Sequence, residues 1–153
     1  MGEVLTEVDA LRRRAAARGR GQTFVFTNGC FDLIHPGHVA LLHEAKAQGH
    51  YLLVGINSDR SVRGLKGAGR PVQNEADRAA VLAAMRDVDG VVVFDEETPA
   101  KIIEALKPDV LVKGGDYTPD QVVGREVVEK NGGRVHIVPL VEGKSSSALT
   151  ARS

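Results

Sequence analysis

Residues 24–38 read FVFTNGCFDLIHPGH, an apolar run followed by a glycine, two histidines and a proline. The run Phe24–Thr27 has the length of a buried strand, and Pro36 stands where proline is tolerated at the first turn of a helix. The segment therefore predicts a strand, a short turn and a helix in immediate succession. In a parallel α/β sheet such a turn lies at the carboxyl end of its strand, where ligands bind.

Further apolar runs of strand length recur along the chain, separated mostly by stretches with helical spacing: Tyr51–Ile56, Val91–Phe94, Asp109–Val112 and Arg134–Val138. The first two of these runs do not alternate apolar and polar residues, so helices should cover both of their faces. We therefore expect an α/β protein with a doubly wound five-stranded parallel sheet of the Rossmann-like kind.

Capping residues indicate where several helices begin. Asn74 predicts the start of one helix, and Thr118 with Gln121 predicts a capping box ahead of a helix over Val122–Asn131. Residues 3–18 are expected to form a helix with a basic face. We accordingly divide the chain into an N-terminal leader helix at 1–20 and a single domain at 21–153.

The composition limits the classes of function. Among 153 residues, 20 lysines and arginines balance 20 aspartates and glutamates, so no overall field attracts nucleic acid or an acidic membrane. Cys30 is the single cysteine, which excludes an intrachain disulfide and suits a reducing compartment. No apolar run of the sequence approaches the roughly 20 residues that cross a bilayer. We expect a cytoplasmic protein that binds neither nucleic acid nor membrane.

His35 and His38 straddle the predicted helix start. The first N–H groups of a helix have no partner within the helix and carry a partial positive charge, so they attract anions. Gly37 lets a phosphate approach this backbone closely, and the two histidines add side-chain donors. Two other interpretations stay open: histidines here often serve as capping or surface residues, and Cys30 with both histidines could ligate zinc, although the charge of the helix start opposes a cation.

Two basic features follow farther along the chain. The segment Arg60–Gln73 holds four basic residues, three glycines and no acidic residue, which favours a mobile lid over a polyanion against a solvated loop. Arg78 continues the inward apolar stripe of the next helix but lies in its first turn, where a cation opposes the helix dipole. It needs an anionic partner, either a buried carboxylate such as Asp32 or Asp87 or the triphosphate of a nucleotide.

The residues around the histidines resemble a known signature. The strings Gly29-Cys30-Phe31-Asp32 and His35-Pro36-Gly37-His38 are similar to that of the nucleotidylyltransferase superfamily, which includes glycerol-phosphate cytidylyltransferase. Further segments make the chain, from about Thr23 onward, similar to the adenylyltransferase family of ADP-heptose synthases: Asn57-Ser58-Asp59, Leu65-Lys66-Gly67, Arg70-Pro71, Val110–Tyr117 and Glu142-Gly143. In that family the adenylyltransferase is often the second half of a chain that begins with a sugar kinase, and this chain resembles a free-standing version.

The resemblance implies roles for particular residues. His35 and His38 resemble the histidines that stabilise the transition state at the α-phosphate, and Lys66 resembles a lysine that reaches the phosphates. The residues expected to bind the nucleotide are Asn28, Gly29, Cys30, Phe31, Asp32, Gly37, Arg78, Lys113, Gly114, Gly115, Asp116, Gly143, Ser145, Ser146 and Ser147. The last four resemble the family's glycine-x-serine-threonine-threonine segment, from which this chain departs by Lys144 and by serines in place of two threonines. No residue is expected to ligate a metal.

The resemblance also implies a reaction, in which ATP and D-glycero-D-manno-heptose 1-phosphate give ADP-heptose, a lipopolysaccharide core precursor, and pyrophosphate. Mg²⁺ would be held mainly by the phosphates of ATP. The segment Arg86–Asp89 resembles one at the family's dimer interface, so a homodimer is expected. Two alternatives stay open: a cytidylyltransferase for glycerol 3-phosphate or another alcohol phosphate, and a non-catalytic nucleotide-binding module.

Overall fold

The computed structural model describes residues 2–139. Within them, six strands, six α-helices and one short 3₁₀ helix follow in this order: β1 (Glu3–Leu5), α1 (Glu7–Gly19), β2 (Phe24–Gly29), α2 (Pro36–Lys46), β3 (Tyr51–Asn57), α3 (Asp59–Lys66), α4 (Glu75–Ala83), β4 (Gly90–Phe94), α5 (Ala100–Leu106), β5 (Val110–Gly114), the 3₁₀ helix (Pro119–Gln121), α6 (Arg125–Lys130) and β6 (Arg134–Val138). No helix in this part of the chain is both long enough and apolar enough to cross a membrane.

All six strands lie in one parallel sheet, in the order β1-β4-β3-β2-β5-β6. From β2 the chain extends the sheet through β3 and β4, and then returns to place β5 on the other side of β2. The carboxyl ends of β2 and β5 therefore lie side by side at the point where the winding reverses, which is where α/β sheets bind ligands. The predicted doubly wound parallel sheet is confirmed.

Helices cover both faces of the sheet. Helices α1, α5 and α6 pack on one apolar cluster, which includes Phe26 and Leu53, whereas α2 and α4 pack on a second cluster, which includes Val25 and Val54. Because neighbouring residues of a strand point to opposite faces, an apolar run without alternation is what burial on both faces requires.

The sheet has one strand more than the sequence predicts. Glu3–Leu5 lies where a helix is predicted, but it forms β1 and pairs with β4. Leu5 is buried in the cluster under α1, and the helix begins only after Thr6, whose hydroxyl accepts the N–H of Asp9. A three-residue strand shows no periodicity of its own, so only its distant partner reveals it.

The first half of the expected lid is helical. Ser58 caps α3 by accepting the N–H of Ser61 at 3.1 Å, and α3 extends to Lys66. The prediction of a loop over the whole of Arg60–Gln73 is therefore wrong for residues 60–66, which are helical, and residues 67–73 connect α3 to α4.

The helix predicted over Val122–Asn131 is shorter in the structure. The capping box of Thr118 and Gln121 forms as predicted, but it caps the start of the 3₁₀ helix and not of a longer α-helix. Gly124 then has φ of +94°, a left-handed conformation that interrupts the helical backbone, and α6 begins after it.

Candidate active site

A cleft of about 500 Å³ opens at the carboxyl ends of β2, β3 and β5. Strand ends supply part of its lining, and the turns that follow them supply the rest. The lining residues are Asn28, Gly29, Cys30, Phe31, His38, Leu41, Asn57, Leu65, Lys66, Glu97, Thr98, Pro99, Lys113, Gly114, Tyr117 and Val123. Eight of the expected site residues therefore share one cleft: Asn28, Gly29, Cys30, Phe31, His38, Lys66, Lys113 and Gly114.

The turn between β2 and α2 is held in an unusual conformation. Phe31 has φ of +48°, a left-handed value that is uncommon for a bulky aromatic residue, and its side chain is buried. Its ring centroid lies 5.0 Å from that of His38. A side chain at Gly29 would place its Cβ 3.0 Å from the Phe31 ring, closer than ordinary contact. The small residue before the turn thus lets Phe31 pack where it supports the imidazole of His38.

The two histidines have different positions. The Nδ1 atom of His35 accepts the N–H of Gly37 at 3.1 Å and caps α2, while the Nδ1 atom of His38 accepts the N–H of His35 at 3.3 Å. The rings stack with centroids 3.8 Å apart. His38 lines the cleft, whereas His35 is buried and lies outside the lining. The Gly37 N–H, expected to meet a phosphate, is bonded to the His35 ring here.

The environment of His38 keeps its imidazole neutral. Burial lowers the pKa of His38 to about 4, helped by the nearby His35 and Lys66, against the opposing effect of a hydrogen bond with the Leu33 backbone. Because Nδ1 accepts a hydrogen bond, the neutral ring carries its proton on Nε2. The structure thus keeps a neutral imidazole at this position, with its ring hydrogen-bonded to the Leu33 backbone.

Two lysines and an aromatic ring complete the polar part of the cleft. Lys66 is the last residue of α3 and is exposed, and Lys113 belongs to β5. The ammonium of Lys113 lies 5.1 Å from the ring centroid of Tyr117, within the range of a cation–π contact. These two cations give the cleft the character of an anion site.

Cys30 has the features of a packed thiol. Burial raises its pKa, although Lys66, Arg78 and Lys113 act in the opposite direction, so the thiol stays protonated near neutral pH. Its Sγ lies 3.7 Å from the Asn57 side-chain oxygen, to which it donates. Within residues 2–139, no group of three or more histidine, cysteine, aspartate or glutamate side chains is placed to hold a metal ion.

Arg78 does not reach the cleft, which corrects its expected role as a nucleotide ligand. Its side chain is fully buried. The guanidinium donates to three backbone carbonyls and to one carboxylate: Gln73 O at 3.0 Å, Cys30 O at 2.8 Å, Asn57 O at 2.7 Å and Asp59 Oδ1 at 2.8 Å. The anion that the sequence demands is the carboxylate of Asp59, and neither Asp32 nor Asp87 fills this role.

Asp32 is also directed away from the cleft. Its side chain is fully buried and accepts hydrogen bonds from the N–H groups of Val72 at 2.8 Å and Gln73 at 3.1 Å, and from the Arg70 guanidinium at 2.9 Å. Burial alone would raise the pKa of Asp32, but these three donors outweigh it and the pKa is lowered. An ionised carboxylate that is already satisfied by protein donors does not fit the expected nucleotide-binding role.

The other expected residues lie at the margins or beyond. Gly115 is buried and its N–H donates to Val138, and Asp116 is exposed outside the cleft lining. The expected phosphate ligands at Gly143 and Ser145–Ser147, with Lys144, lie outside the described residues.

Several lining residues are absent from the sequence-based expectation. Asn57 ends a buried strand, so the rule that led to Asn28 could have identified it as well. Glu97, Thr98 and Tyr117 come from loops after β4 and β5, and no local pattern predicts how far those loops extend over the sheet.

Comparison with known proteins identifies relatives of this chain. The cytidylyltransferase-like family model matches residues 26–147. The bifunctional protein HldE of Azorhizobium caulinodans is 56% identical over 152 residues, which cover 99% of this chain and 32% of that protein. HldE of Geotalea uraniireducens is 61% identical over 134 residues, or 88% of this chain and 27% of that protein. The chain thus spans about a third of the length of these relatives.

Solved structures show the same fold. The lipopolysaccharide core biosynthesis protein of Thermoplasma volcanium is 29% identical, with a TM-score of 0.64 over 79% of this chain and 98% of that chain. The pantoate-beta-alanine ligase of Francisella tularensis has a TM-score of 0.67 over 100% of this chain and 74% of that chain, but at 14% identity it informs the fold alone. Because the family model matches residues 26–147, which is most of its length, the chain belongs to the cytidylyltransferase-like family.

Proposed function

We propose that this chain transfers the adenylyl group of ATP to a heptose 1-phosphate, giving ADP-heptose and pyrophosphate. The observation that carries the proposal is the cleft where neutral His38 and the cations Lys66 and Lys113 converge at the switch point of the sheet. The motifs shared with ADP-heptose synthase adenylyltransferases and the identity of 56% to a bifunctional HldE support the choice of nucleotide and sugar.

The reaction needs charge stabilisation more than proton removal. A phosphate monoester has its second pKa near 6, so the attacking oxygen of the sugar phosphate is already largely anionic at pH 7. This oxygen forms a bond to the α-phosphorus of ATP. The bond from that phosphorus to the bridging oxygen breaks, and the oxygen leaves with pyrophosphate.

The residues of the cleft fit these requirements. His38 donates its Nε2–H to the oxygens that gain charge at the α-phosphorus, and Lys66 and Lys113 neutralise the triphosphate. Mg²⁺ would be held by oxygens of the ATP phosphates and by water, and it would neutralise part of the phosphate charge. Gly143 and Ser145–Ser147 are proposed to add hydroxyl and backbone donors to the phosphates.

A screen for pyrophosphate release tests the proposal. ATP and CTP are each paired with D-glycero-D-manno-heptose 1-phosphate and with glycerol 3-phosphate, and kcat/KM is compared. We expect ATP with the heptose phosphate to be preferred by at least tenfold, because each polar group left unpaired by a wrong partner costs about 1–3 kcal/mol. Lys66→Ala serves as the low-activity control.

Two outcomes contradict the proposal. Preference for CTP with glycerol 3-phosphate would make the protein a cytidylyltransferase for an alcohol phosphate. Absence of pyrophosphate release with every pair would favour a non-catalytic nucleotide-binding module.

We further propose that the enzyme is a cytoplasmic homodimer. Arg86 is exposed next to Met85 and Asp87, and the exposed Val39 of α2 lines the same surface depression. An apolar patch rimmed by charges is typical of an interface. Sedimentation velocity across a range of protein concentrations tests the dimer, and a monomer at the highest concentration would contradict it.

A further inference from the structure

The buried groups Asp32 and Arg78 meet the chain on both sides of Lys66. Arg78 binds the carboxylate of Asp59, the first residue of α3, and Lys66 is the last residue of the same helix. After Lys66, the chain is held again at Arg70 and Val72, which both donate to Asp32.

Both anchors lead back to the turn that carries the histidines. Asp32 belongs to that turn, and Arg78 also donates to the carbonyl of Cys30 at 2.8 Å. The backbone on either side of Lys66 is therefore fixed to the segment that runs from Cys30 into His38. Only residues 67–69 lie between Lys66 and Arg70, the first residue held by Asp32.

Fold stability alone gives a weak reason for this arrangement. Charges in a protein interior lose their hydration, and apolar residues of similar volume stabilise a fold about as well as a buried ion pair does. Such charges contribute directional hydrogen bonds. The bonds of Asp32 join the histidine turn to residues 70–73. The bonds of Arg78 join α4 to Cys30 of that turn, to Asn57 at the end of β3 and to Asp59 at the start of α3.

We infer that Asp32 and Arg78 are positioning residues that hold the ammonium of Lys66 opposite His38 across the cleft. The inference rests on the proposed role of Lys66 in binding phosphate. Lys66 then lies on a backbone that is held on both sides before the nucleotide binds, and it does not belong to a lid that moves as a whole.

A double-mutant cycle tests this inference. Asp32→Asn keeps the shape of the side chain and one oxygen for the Val72 and Gln73 N–H groups, but it removes the charge paired with Arg70. We expect kcat to fall about tenfold, with a smaller change in KM for ATP, since misplacing a transition-state contact reduces kcat. In a Lys66→Ala background, Asp32→Asn should change kcat less than about twofold, because the lysine through which it acts is gone.

A matched control lies on the exposed side of the same helix. Arg60→Gln breaks the Arg60–Asp95 ion pair of α3 without touching either anchor, and kcat should stay within about twofold of the original. Should Asp32→Asn fail to fold, Arg70→Gln removes the same ion pair from its more exposed side.

Hydrogen exchange gives a second readout that is independent of turnover. Amides of residues 67–73 should exchange faster in Asp32→Asn than in Arg60→Gln, because Asp32 holds this segment and only the former variant weakens that anchor. An equal loss of kcat in the presence and absence of Lys66, or unchanged exchange, would overturn the inference. If the unaltered protein turns over no substrate pair, the proposed function fails, and the exchange result alone decides about the anchors.

Discussion

At the scale of single residues, the neutral state of His38 determines how the cleft would interact with the proposed triphosphate. A protonated imidazole would attract phosphate more strongly in the ground state. A neutral N–H donor instead gains strength as charge develops on the α-phosphate oxygens, which is the property that accelerates a reaction. The lowered pKa of His38 thus fits a group that acts in the transition state.

The titration of His38 can be measured directly. In the free protein, its ring resonances should titrate by NMR with a midpoint near the value of about 4, and His38→Gln identifies them by removing them. Between the ordinary pKa of about 6.5 and 4, the unfolded chain binds a proton that the folded chain does not. This group therefore makes the fold less stable as the pH falls through that range. A midpoint at or above 6.5 would show a hydrated or ion-paired ring.

Glu97 is the one acidic side chain among the described residues that line the cleft. A carboxylate repels phosphate but accepts hydrogen bonds from hydroxyl groups, so we expect it to face the sugar. Glu97→Gln should raise KM for the heptose phosphate about three- to tenfold and leave KM for ATP nearly unchanged. Glu96→Gln removes the same charge one position away and serves as the control. A rise in KM for ATP alone would place the ribose there instead.

The sequence predicts the residues of the cleft better than the residues behind it. The rule that ligands meet the carboxyl ends of parallel strands leads to Asn28, Lys113 and Gly114, and the structure places all three in the cleft. For Arg78, the helical stripe correctly predicts burial and the need for an anion. The partner could not be identified, because no local pattern brings Asp59, 19 residues earlier in the chain, next to Arg78.

Secondary-structure elements were predictable where local chemistry fixes them. Asn74 caps α4 through its side chain, as its residue type indicates, and the central strands follow their apolar runs. Helix α3 was not predicted, because tertiary contacts hold it. Asn57 donates to the Ser61 hydroxyl, which donates to the carbonyl of Glu96. Propensity is a weak predictor when such contacts override it.

Close packing explains the remaining difference at the scale of elements. A Cβ on Gly124 would meet the Ile103 side chain at 2.8 Å, so α6 approaches α5 through a glycine in a left-handed conformation. The sequence shows the glycine but not the neighbour that requires it. The start of α6 thus depends on the contact between two helices.

In the whole molecule, the cleft and the hydrogen bonds of Asp109 lie at opposite ends of the strands. The cleft lies at the carboxyl ends of the strands, whereas Asp109 precedes β5 at the opposite edge of the sheet. There its carboxylate accepts from the Phe24 N–H at 2.8 Å and from the guanidinium of Arg14. A strand of five residues spans about 17 Å, which keeps these groups away from the cleft.

Arg14 ties the N-terminal helix α1 to the sheet. Its buried guanidinium donates to Asp109 at 3.0 and 3.1 Å and to the carbonyls of Leu106 and Lys107 at 3.1 and 2.8 Å. The helix expected as a leader is thus packed into the fold. Loss of the Arg14 contacts should therefore lower the stability of the fold.

Arg14→Met should lower the free energy of unfolding by about 2–3 kcal/mol, because it leaves three acceptors without their charged donor while keeping the apolar bulk. Thermal unfolding followed by circular dichroism would then shift down by several degrees, at about 2–4 °C per kcal/mol for a chain of this size. Below that transition, kcat should remain close to that of the unaltered protein, since the substitution lies at the far edge of the sheet. Val8→Ala, on an exposed position of the same helix, should change neither quantity. A fall in kcat without a fall in stability would mean that the two edges of the sheet are coupled.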